Sequence, residues 1–299
     1  MISAVISTYN RDKYLTGVLD SLLKQSLSYD QFEIVLVNNN STDQTEIISK
    51  AFEAQHPEVN FLYFVEKNQG LSHARNRGIL ESKGDYIAFV DDDAYLCKDY
   101  LKEVVEYMDA QSETDAIGGK ILLQFEGTRP KWANKYLDPL WAAYNAGEEI
   151  VLFKNDSYPI GCNMAFRSSV FEKIGNFNVN LGRVGKNLAG GEEKDMFMRM
   201  YQKNMKVAYL PKAYVYHNIP ESRMTKEFIR KQAIGVGASE RIRSKEQGSF
   251  GRSVVKELIK WVGSFGLFLR YSIKGQFAKA RMIIQFRAWV SYGLFKKHE

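Results

Sequence analysis

The first hundred residues alternate between two kinds of hydrophobic pattern. Short apolar runs rich in β-branched residues stand at 2–7, 33–37, 60–65 and 86–90. Between them, apolar residues return at helical spacing: Tyr14, Val18, Leu19, Leu22 and Leu23; then Ile47, Ile48, Ala51 and Phe52; then Leu71, Ala74, Ile79 and Leu80. The first pattern predicts buried strands and the second predicts amphipathic helices. Ser41-Thr42-Asp43-Gln44 fits a capping box opening the second helix. Strand and helix in alternation, with strands apolar throughout, predict a parallel sheet covered on both faces.

The pattern then loosens. Residues 125–150 place Trp132, Tyr136, Trp141 and Tyr144 among Gly, Pro, Asn and Asp. Such a segment either offers aromatic platforms to a ligand or packs over the sheet. A helix is expected at 195–201, and short strands at 207–210 and 213–216 around Pro211. Beyond residue 222 the chain turns helical. Val254, Leu258, Trp261, Phe265 and Phe268 make one apolar stripe, with Lys256, Lys260 and Arg270 off it. Residues 276–295 form a second amphipathic segment. Basic amphipathic helices with Trp and Phe can lie in a membrane interface. The competing uses are covering the domain's own surface and pairing with a second subunit as a homodimer.

Charge sharpens this division. Residues 1–222 carry 24 basic and 30 acidic groups, net −6, while residues 223–299 carry 17 and 5, net +12, giving +6 in all. The expected organisation is an acidic globular domain at 1–222. A basic helical extension at 223–299 follows. At 45% hydrophobic and 25% charged the chain is globular rather than disordered or fibrous. Two cysteines, Cys97 and Cys162, exclude a disulfide scaffold and a zinc ribbon. No secretory signal and no run of about 18 apolar residues is visible. The expectation is a cytoplasmic chain, peripheral on the inner face of the plasma membrane.

In parallel sheets, ligands gather at the carboxyl ends of the strands. Four polar connections follow the four strands, at 8–11, 38–43, 66–70 and 91–93. The last, Asp91-Asp92-Asp93, sets three carboxylates side by side. Alternate side chains of an extended segment point the same way, so Asp91 and Asp93 face one site. Hard oxygen ligands of this kind suit Mg²⁺ or Mn²⁺ that also holds phosphate oxygens.

With these residues in view, the chain resembles the family 2 glycosyltransferases of GT-A fold. The Asp91–93 segment resembles their Asp-x-Asp region. Five further segments agree in the family's order: Val5-Ile6-Ser7-Thr8-Tyr9-Asn10-Arg11; Val35-Leu36-Val37-Asn38-Asn39-Asn40-Ser41-Thr42-Asp43; Asn68-Gln69-Gly70-Leu71-Ser72-His73-Ala74-Arg75-Asn76-Arg77-Gly78; Gly161-Cys162-Asn163-Met164-Ala165-Phe166-Arg167 with Gly175-Asn176-Phe177; and Gly190-Gly191-Glu192-Glu193-Lys194-Asp195. The resemblance covers about residues 1–220 and implies a catalytic domain at 1–222, with a nucleotide-sugar-binding half at 1–95 and an acceptor-binding half at 96–222. Asn38 and Asn39 stand where the family often has Asp, and Glu193 stands where it has the Asp usually taken as base.

The resemblance implies an α/β, Rossmann-like mixed sheet and inverting transfer of a sugar from a nucleoside diphosphate to an acceptor hydroxyl, in bacterial cell-surface polysaccharide or glycan assembly. Glu193 would be the base, with Glu192 its rival. A divalent cation, Mn or Mg, would be held by Asp93, Asp91 and His217. Thr8, Tyr9, Asn10, Arg11, Asn38, Asn39, Asn68, Arg75, Asp91 and Asp92 would frame the donor, a UDP-sugar first. Trp132, Asn163 and Met164 would lie on the side of the sugar or lipid-linked acceptor. The chain carries no G-x-G-x-x-G after a strand, no P-loop and no H-E-x-x-H. The competing classes are a sugar-nucleotide nucleotidyltransferase and a non-catalytic protein bound to membrane or nucleic acid. Nucleic acid is not the expected partner, because the excess of basic charge sits in the helical tail and the sheet part is acidic.

Overall fold

The computed structural model describes residues 1–154, 157–183, 191–246 and 248–296. The chain divides into two compact units, Met1–Leu122 with Tyr144–Asn218, and Leu123–Ala143 with Ile219–Glu299. Against a cut at residue 222, the main difference is the aromatic segment at 123–143, which groups with the C-terminal helices.

The first unit opens with β1 (Ile2–Thr8), α1 (Asp12–Leu23), β2 (Phe32–Asn38), α2 (Thr45–Gln55), β3 (Phe61–Val65), α3 (Leu71–Glu81) and β4 (Tyr86–Asp91). All four apolar runs are strands, and β1 pairs in parallel with β2 and β4, and β2 with β3. Successive side chains of a strand point to opposite faces. Ile2, Ala4 and Ile6 therefore enter one core while Val5 enters the other, and Ile34 and Leu36 likewise part from Val35 and Val37. On α1, Leu15, Val18, Leu19 and Leu22 are buried. Each such side chain contributes about 1.5–3 kcal/mol on leaving water. Cys97 and Cys162 are free, buried members of the first core.

The opening of α2 differs from the expected capping box. The helix starts at Thr45, and Asp43 caps it: Asp43 Oδ1 accepts from Thr45 N at 3.1 Å and Thr45 Oγ1 at 2.6 Å. Asp43 Oδ2 also accepts from Asp12 N at 3.0 Å, at the start of α1. A carboxylate is an acceptor with two oxygens, so one aspartate satisfies orphan amides of two helices.

The chain continues through β5 (Ala94–Leu96), α4 (Tyr100–Ala110), β6 (Thr114–Phe125), β7 (Val151–Leu152), β8 (Met164–Arg167), α5 (Ser169–Ile174), α6 (Glu192–Gln202) and β9 (Lys206–Ile219). Among the described residues the sheet runs β3-β2-β1-β4-β8-β6-β9-β5, with β7 on β9. β8 lies antiparallel to β4 and β6, which makes the sheet mixed. The two strands expected around Pro211 are one, β9. Proline lacks the N–H a ladder needs. Pro211 falls between the stretch paired with β7 (Val151↔Tyr209) and the stretch paired with β5 (Leu96↔Val215).

From β1 the chain winds outward to β2 and β3, then returns to the other side of β1 as β4. The register Ser7↔Asp91 sets the carboxyl ends of β1 and β4 side by side. This is the switch point where such sheets bind ligands.

The second unit is built from α7 (Lys226–Glu246), α8 (Phe250–Ile273) and α9 (Phe277–Phe295). Ala133, Leu137, Trp141, Ile219, Ile229 and Met282 form its core. Trp132 stacks on Trp141 with ring centroids 5.9 Å apart, and Trp141 Nε1 donates to Arg223 O at 2.9 Å. The aromatic segment therefore packs. In α8 the apolar stripe is not the buried face. Ser253, Glu257 and Ser264 are buried while Leu258 and Phe265 are exposed. Glu257 accepts from Arg287 at 3.1 Å and from Ser291 Oγ at 2.7 Å, and Trp261 Nε1 donates to Ser291 Oγ at 2.9 Å. A buried carboxylate needs such partners, and α9 supplies them. No described helix is long and apolar enough to cross a membrane.

Candidate active site at the switch point

Two ionic clusters stand at the ends of β1 and β4. In the first, Thr8 Oγ1 donates to Asp92 Oδ2 at 2.8 Å, joining the two strand ends. Arg11 Nε lies 3.1 Å from Asp92 Oδ1, and Arg11 Nη2 lies 2.5 Å from Asp93 Oδ2. His217 Nε2 stands 3.4 Å from Asp93 Oδ1. It is held there because β5 and β9 pair Ala94 with His217, and Asn218 N donates to Asp93 O at 2.8 Å. Asp92 and Asp93 are 5% and 2% exposed. Burial pushes the Asp92 carboxyl up to about 7 against the opposing pull of Arg11. Burial also works against the Arg11 cation, but Asp92 and Asp93 outweigh it and raise its pKa.

The second cluster is centred on Arg75, on α3. Its Nη1 lies 3.1 Å from Glu192 Oε1, and its Nη2 lies 3.4 Å from Glu193 Oε1 and 3.5 Å from Asp91 Oδ1. The guanidinium also sits over the Phe177 ring, 5.4 Å from its centroid. Asn76 and Phe177 exchange hydrogen bonds of 2.8 and 2.9 Å, which ties α3 to the loop carrying that ring. Glu192 and Glu193 open α6, one turn earlier than the helix expected from 195. Carboxylates in a first turn are favoured by the helix dipole. The Glu192 side chain is 3% exposed and that of Glu193 is 24%. Burial pushes the Glu193 carboxyl up to about 7 although Arg75 opposes it. Among the described residues, Glu192 Oε2 has no hydrogen-bond partner.

Gly161 faces this pair. A Cβ built there would collide with Glu193 Oε1 and Arg75 Nη2. The absence of a side chain at 161 is thus part of the site, a role that no motif spacing announces. Gly190, in the expected Glu-Asp motif, lies outside the described residues.

The donor-side residues divide into two groups. Tyr9, Asn10 and Asn68 are exposed at the strand ends. Asn38 and Asn39 are buried and engaged within the protein. Asn38 Nδ2 donates to Tyr63 OH at 2.8 Å, and its Oδ1 accepts from Ser41 N at 2.8 Å. Asn39 Nδ2 donates to Glu66 O at 3.1 Å and Asn68 O at 2.7 Å, and its Oδ1 accepts from Gly70 N at 2.8 Å. Gly70 has φ 144°, a region that favours glycine. Asn39 thus fixes the loop after β3 to the end of β2.

Three residues expected on the acceptor side are engaged in packing, each within its own unit. Trp132 is half-buried and packs against the second unit's core. Met164 is buried in the sheet core of the first unit. Asn163 is fully buried, accepting from Tyr100 OH at 2.9 Å and donating to Lys120 O and Ala213 O at 3.0 Å each. The polar atoms of Asn163 are committed to joining β6, β9 and α4 just before β8 begins.

The residues fit a divalent cation in part. Asp93 and His217 bring an oxygen and a nitrogen ligand together, but Asp91 turns to Arg75. Among the described residues no three His, Cys, Asp or Glu groups form a metal cage. The Asp93 carboxylate is the kind of ligand that Mg²⁺ and Mn²⁺ take, with waters and phosphate oxygens filling the rest of their shells.

The sequence profile named Glycosyl transferase family 2 matches residues 3–175. The glucosyl-dolichyl phosphate glucuronosyltransferase of Haloferax volcanii is 25% identical over 246 residues, 81% of this chain and 76% of that protein. Three further relatives match over little more than a third of this chain, which spans only 13%, 15% and 18% of their lengths. Among solved structures, the mannosyltransferase PcManGT of Pyrobaculum calidifontis, in complex with GDP-Man and Mn²⁺, aligns with TM-score 0.64 at 15% identity. The alignment covers 99% of this chain and 88% of that one. S. aureus TarS 1-349 in complex with UDP-GlcNAc aligns with TM-score 0.59 at 21% identity, over 97% and 90%. The mixed α/β sheet with flanking helices is thus the GT-A fold.

Proposed function

Because the chain belongs to glycosyl transferase family 2, we propose that it moves a sugar from a nucleoside diphosphate, a UDP-sugar first, to an acceptor hydroxyl with inversion at the anomeric carbon. The observation that carries this reading is the pair of clusters at one strand edge. One holds phosphate-side groups, Arg11, Asp93 and His217, and the other holds a carboxyl titrating near neutrality, Glu193. In the single displacement, the acceptor oxygen forms the new bond to the anomeric carbon as the bond to the diphosphate oxygen breaks. Glu193, as carboxylate, takes the acceptor proton. The leaving diphosphate carries off the electron pair and needs positive charge beside it. Arg11 is the protein cation nearest Asp93, and a divalent ion held by Asp93 and His217 would supply further charge there. Glu192 holds Arg75, and Arg75 in turn holds Glu193 in place.

The acceptor is proposed to be a sugar or lipid-linked hydroxyl in the assembly of cell-surface glycans. Relatives whose names refer to dolichyl phosphate and teichoic acid support that class. The basic second unit is proposed to hold the enzyme at an anionic membrane, on its inner face, with a homodimer as the competing use of the same helices.

The test is a panel of UDP-, GDP- and dTDP-sugars with Mn²⁺ or Mg²⁺, read by thermal shift and by sugar release. A donor binding the native state raises Tm by mass action. Asp93→Asn, with Arg11 still paired to Asp92, should melt as a folded protein at a lower Tm and lose the cation-dependent part of the shift. A flat response of the wild type to every donor with both cations would remove the proposal.

A further inference from the structure

The second unit holds a cavity of about 770 Å³ bounded by Arg129, Lys131, Lys135 and Lys279. Asp138 is the one acidic residue in its lining, and it is already paired with Arg129 at 2.5 Å. A smaller cavity of about 90 Å³ shares Lys135 and adds Arg270 and Lys274. Among the described residues, six cations thus surround one neighbourhood with a single carboxylate between them. Lys135 lies over the Tyr136 ring, and Lys279 lies over the Tyr271 ring and donates to Gln276 Oε1 at 3.3 Å, and an anion between these cations would lower their mutual repulsion.

The helix leading into this neighbourhood is inside out. As described above, α8 turns Ser253, Glu257 and Ser264 inward. Its outward face carries Val255, Ile259, Val262, Leu269 and Ile273, exposed by 56%, 65%, 74%, 59% and 86%. Arg252, Lys256, Lys260, Arg270 and Lys274 are also exposed along it. Ile273, the most exposed of the apolar residues, stands one residue before Lys274 and two before the cavity-lining Gly275. An exposed apolar stripe bordered by cations and ending at a cationic cavity matches an amphiphile with a phosphate head and an apolar tail. The helix is not apolar enough to span a bilayer, so it would lie along the interface.

We infer that this cavity is a phosphate site for a lipid: Lys135 and Lys279 take the phosphate while the outward face of α8 sits in the acyl boundary of an anionic bilayer. The site lies wholly in the second unit and does not depend on sugar transfer. It does rest on the membrane reading of that unit, and it names the group that unit grips.

The experiment is flotation of the full chain with vesicles of phosphatidylcholine, with and without 30% phosphatidylglycerol. Wild type is expected to float with the anionic vesicles and to remain in solution with neutral ones. Removing one surface cation weakens anionic membrane binding by about fivefold. Lys135→Gln with Lys279→Gln should therefore lower the partition coefficient by about 25-fold. Val262→Gln with Ile273→Gln removes apolar burial and should lower it by at least about tenfold. All four side chains are exposed or at the cavity rim, and unchanged melting curves would verify folding.

Wild type that ignores anionic vesicles overturns both the membrane reading and the site. Wild type that floats while the Lys135/Lys279 variant floats equally overturns the site alone. A soluble arm with glycerol phosphate separates the sources. A Tm rise through Lys135 and Lys279 without vesicles, paired with no flotation, assigns the cavity to a soluble phosphate and overturns the lipid. Self-association that buries the α8 face, seen by sedimentation equilibrium, overturns the bilayer as its occupant.

Discussion

Arg75 Nη1 lies 3.1 Å from Glu192 Oε1 with both side chains almost wholly buried, whereas the neighbouring Glu193 keeps a quarter of its side chain exposed. Both glutamates thus flank one buried cation, and Glu193 is the one that solvent reaches. Breaking a buried ion pair costs roughly 3–5 kcal/mol when the remaining charge is left alone, and less here because Glu193 and Asp91 still face Arg75. Glu192→Gln should accordingly lower Tm. Glu193→Gln should leave Tm near wild type and reduce sugar transfer about 10²- to 10⁴-fold, the usual worth of a general base. Thermal melts and initial rates on the two variants decide it, and the reverse pattern would transfer the base role to Glu192.

The Glu193 carboxyl, raised from 4.5 to about 7 by burial, sets two pH trends of opposite sign. As a base it must be ionised, so kcat/KM should fall with unit slope as pH drops below about 7. Stability runs the other way. A folded pKa above the unfolded one means that the native state binds the extra proton between pH 4.5 and 7. The stability this contributes is therefore complete below 4.5 and lost as pH rises through 7. Glu193→Gln should flatten that part of the Tm-against-pH curve relative to wild type, while Asp92, raised in the same range, leaves a residual slope.

The sheet could be anticipated because each of its first four strands is an apolar run ending in a polar loop. The carboxylates were legible for a related reason: Asp91, Asp92 and Asp93 directly follow such a run. The partners of those carboxylates were not. Arg11 and Asp93 are 82 residues apart, and only the β1–β4 register brings them together. Periodicity identified the apolar side of α8 but not which side would be buried, since the deciding contact is Glu257 with Arg287 on another helix. Pro211 read as a break because its missing N–H should end a ladder, and no local pattern reveals that the partner strands stop on either side of it.

Asn39 stands where the resembling family often has aspartate, and its hydrogen bonds explain the amide. Nδ2 donates to two backbone carbonyls, Glu66 and Asn68, and a carboxylate cannot donate. Asn39→Asp should leave both acceptors without their donor, costing about 1–3 kcal/mol for a buried unmet group. The loop at 66–70 should loosen, with faster amide exchange at Gly70, and donor affinity should fall for every base alike. A change of preferred nucleobase with unaltered stability would instead assign Asn39 to base recognition.

Gly161 offers the sharpest separation of catalysis from folding. It has no unusual backbone requirement in this structure, so alanine is not excluded by conformation. Its constraint is space, because an added methyl would meet Glu193 Oε1 and Arg75 Nη2. Both are ends of side chains, which can shift by rotation where backbone cannot. Gly161→Ala should therefore fold with a small loss of Tm while displacing the carboxyl that takes the acceptor proton. Misplacing a reacting group by about 1 Å costs on the order of 10²-fold in rate. The loss should appear in kcat with KM for the donor little changed, and the acid limb of the pH profile should move as Glu193 is pushed from Arg75. Full activity in this variant would show that Glu193 does not act from its present position.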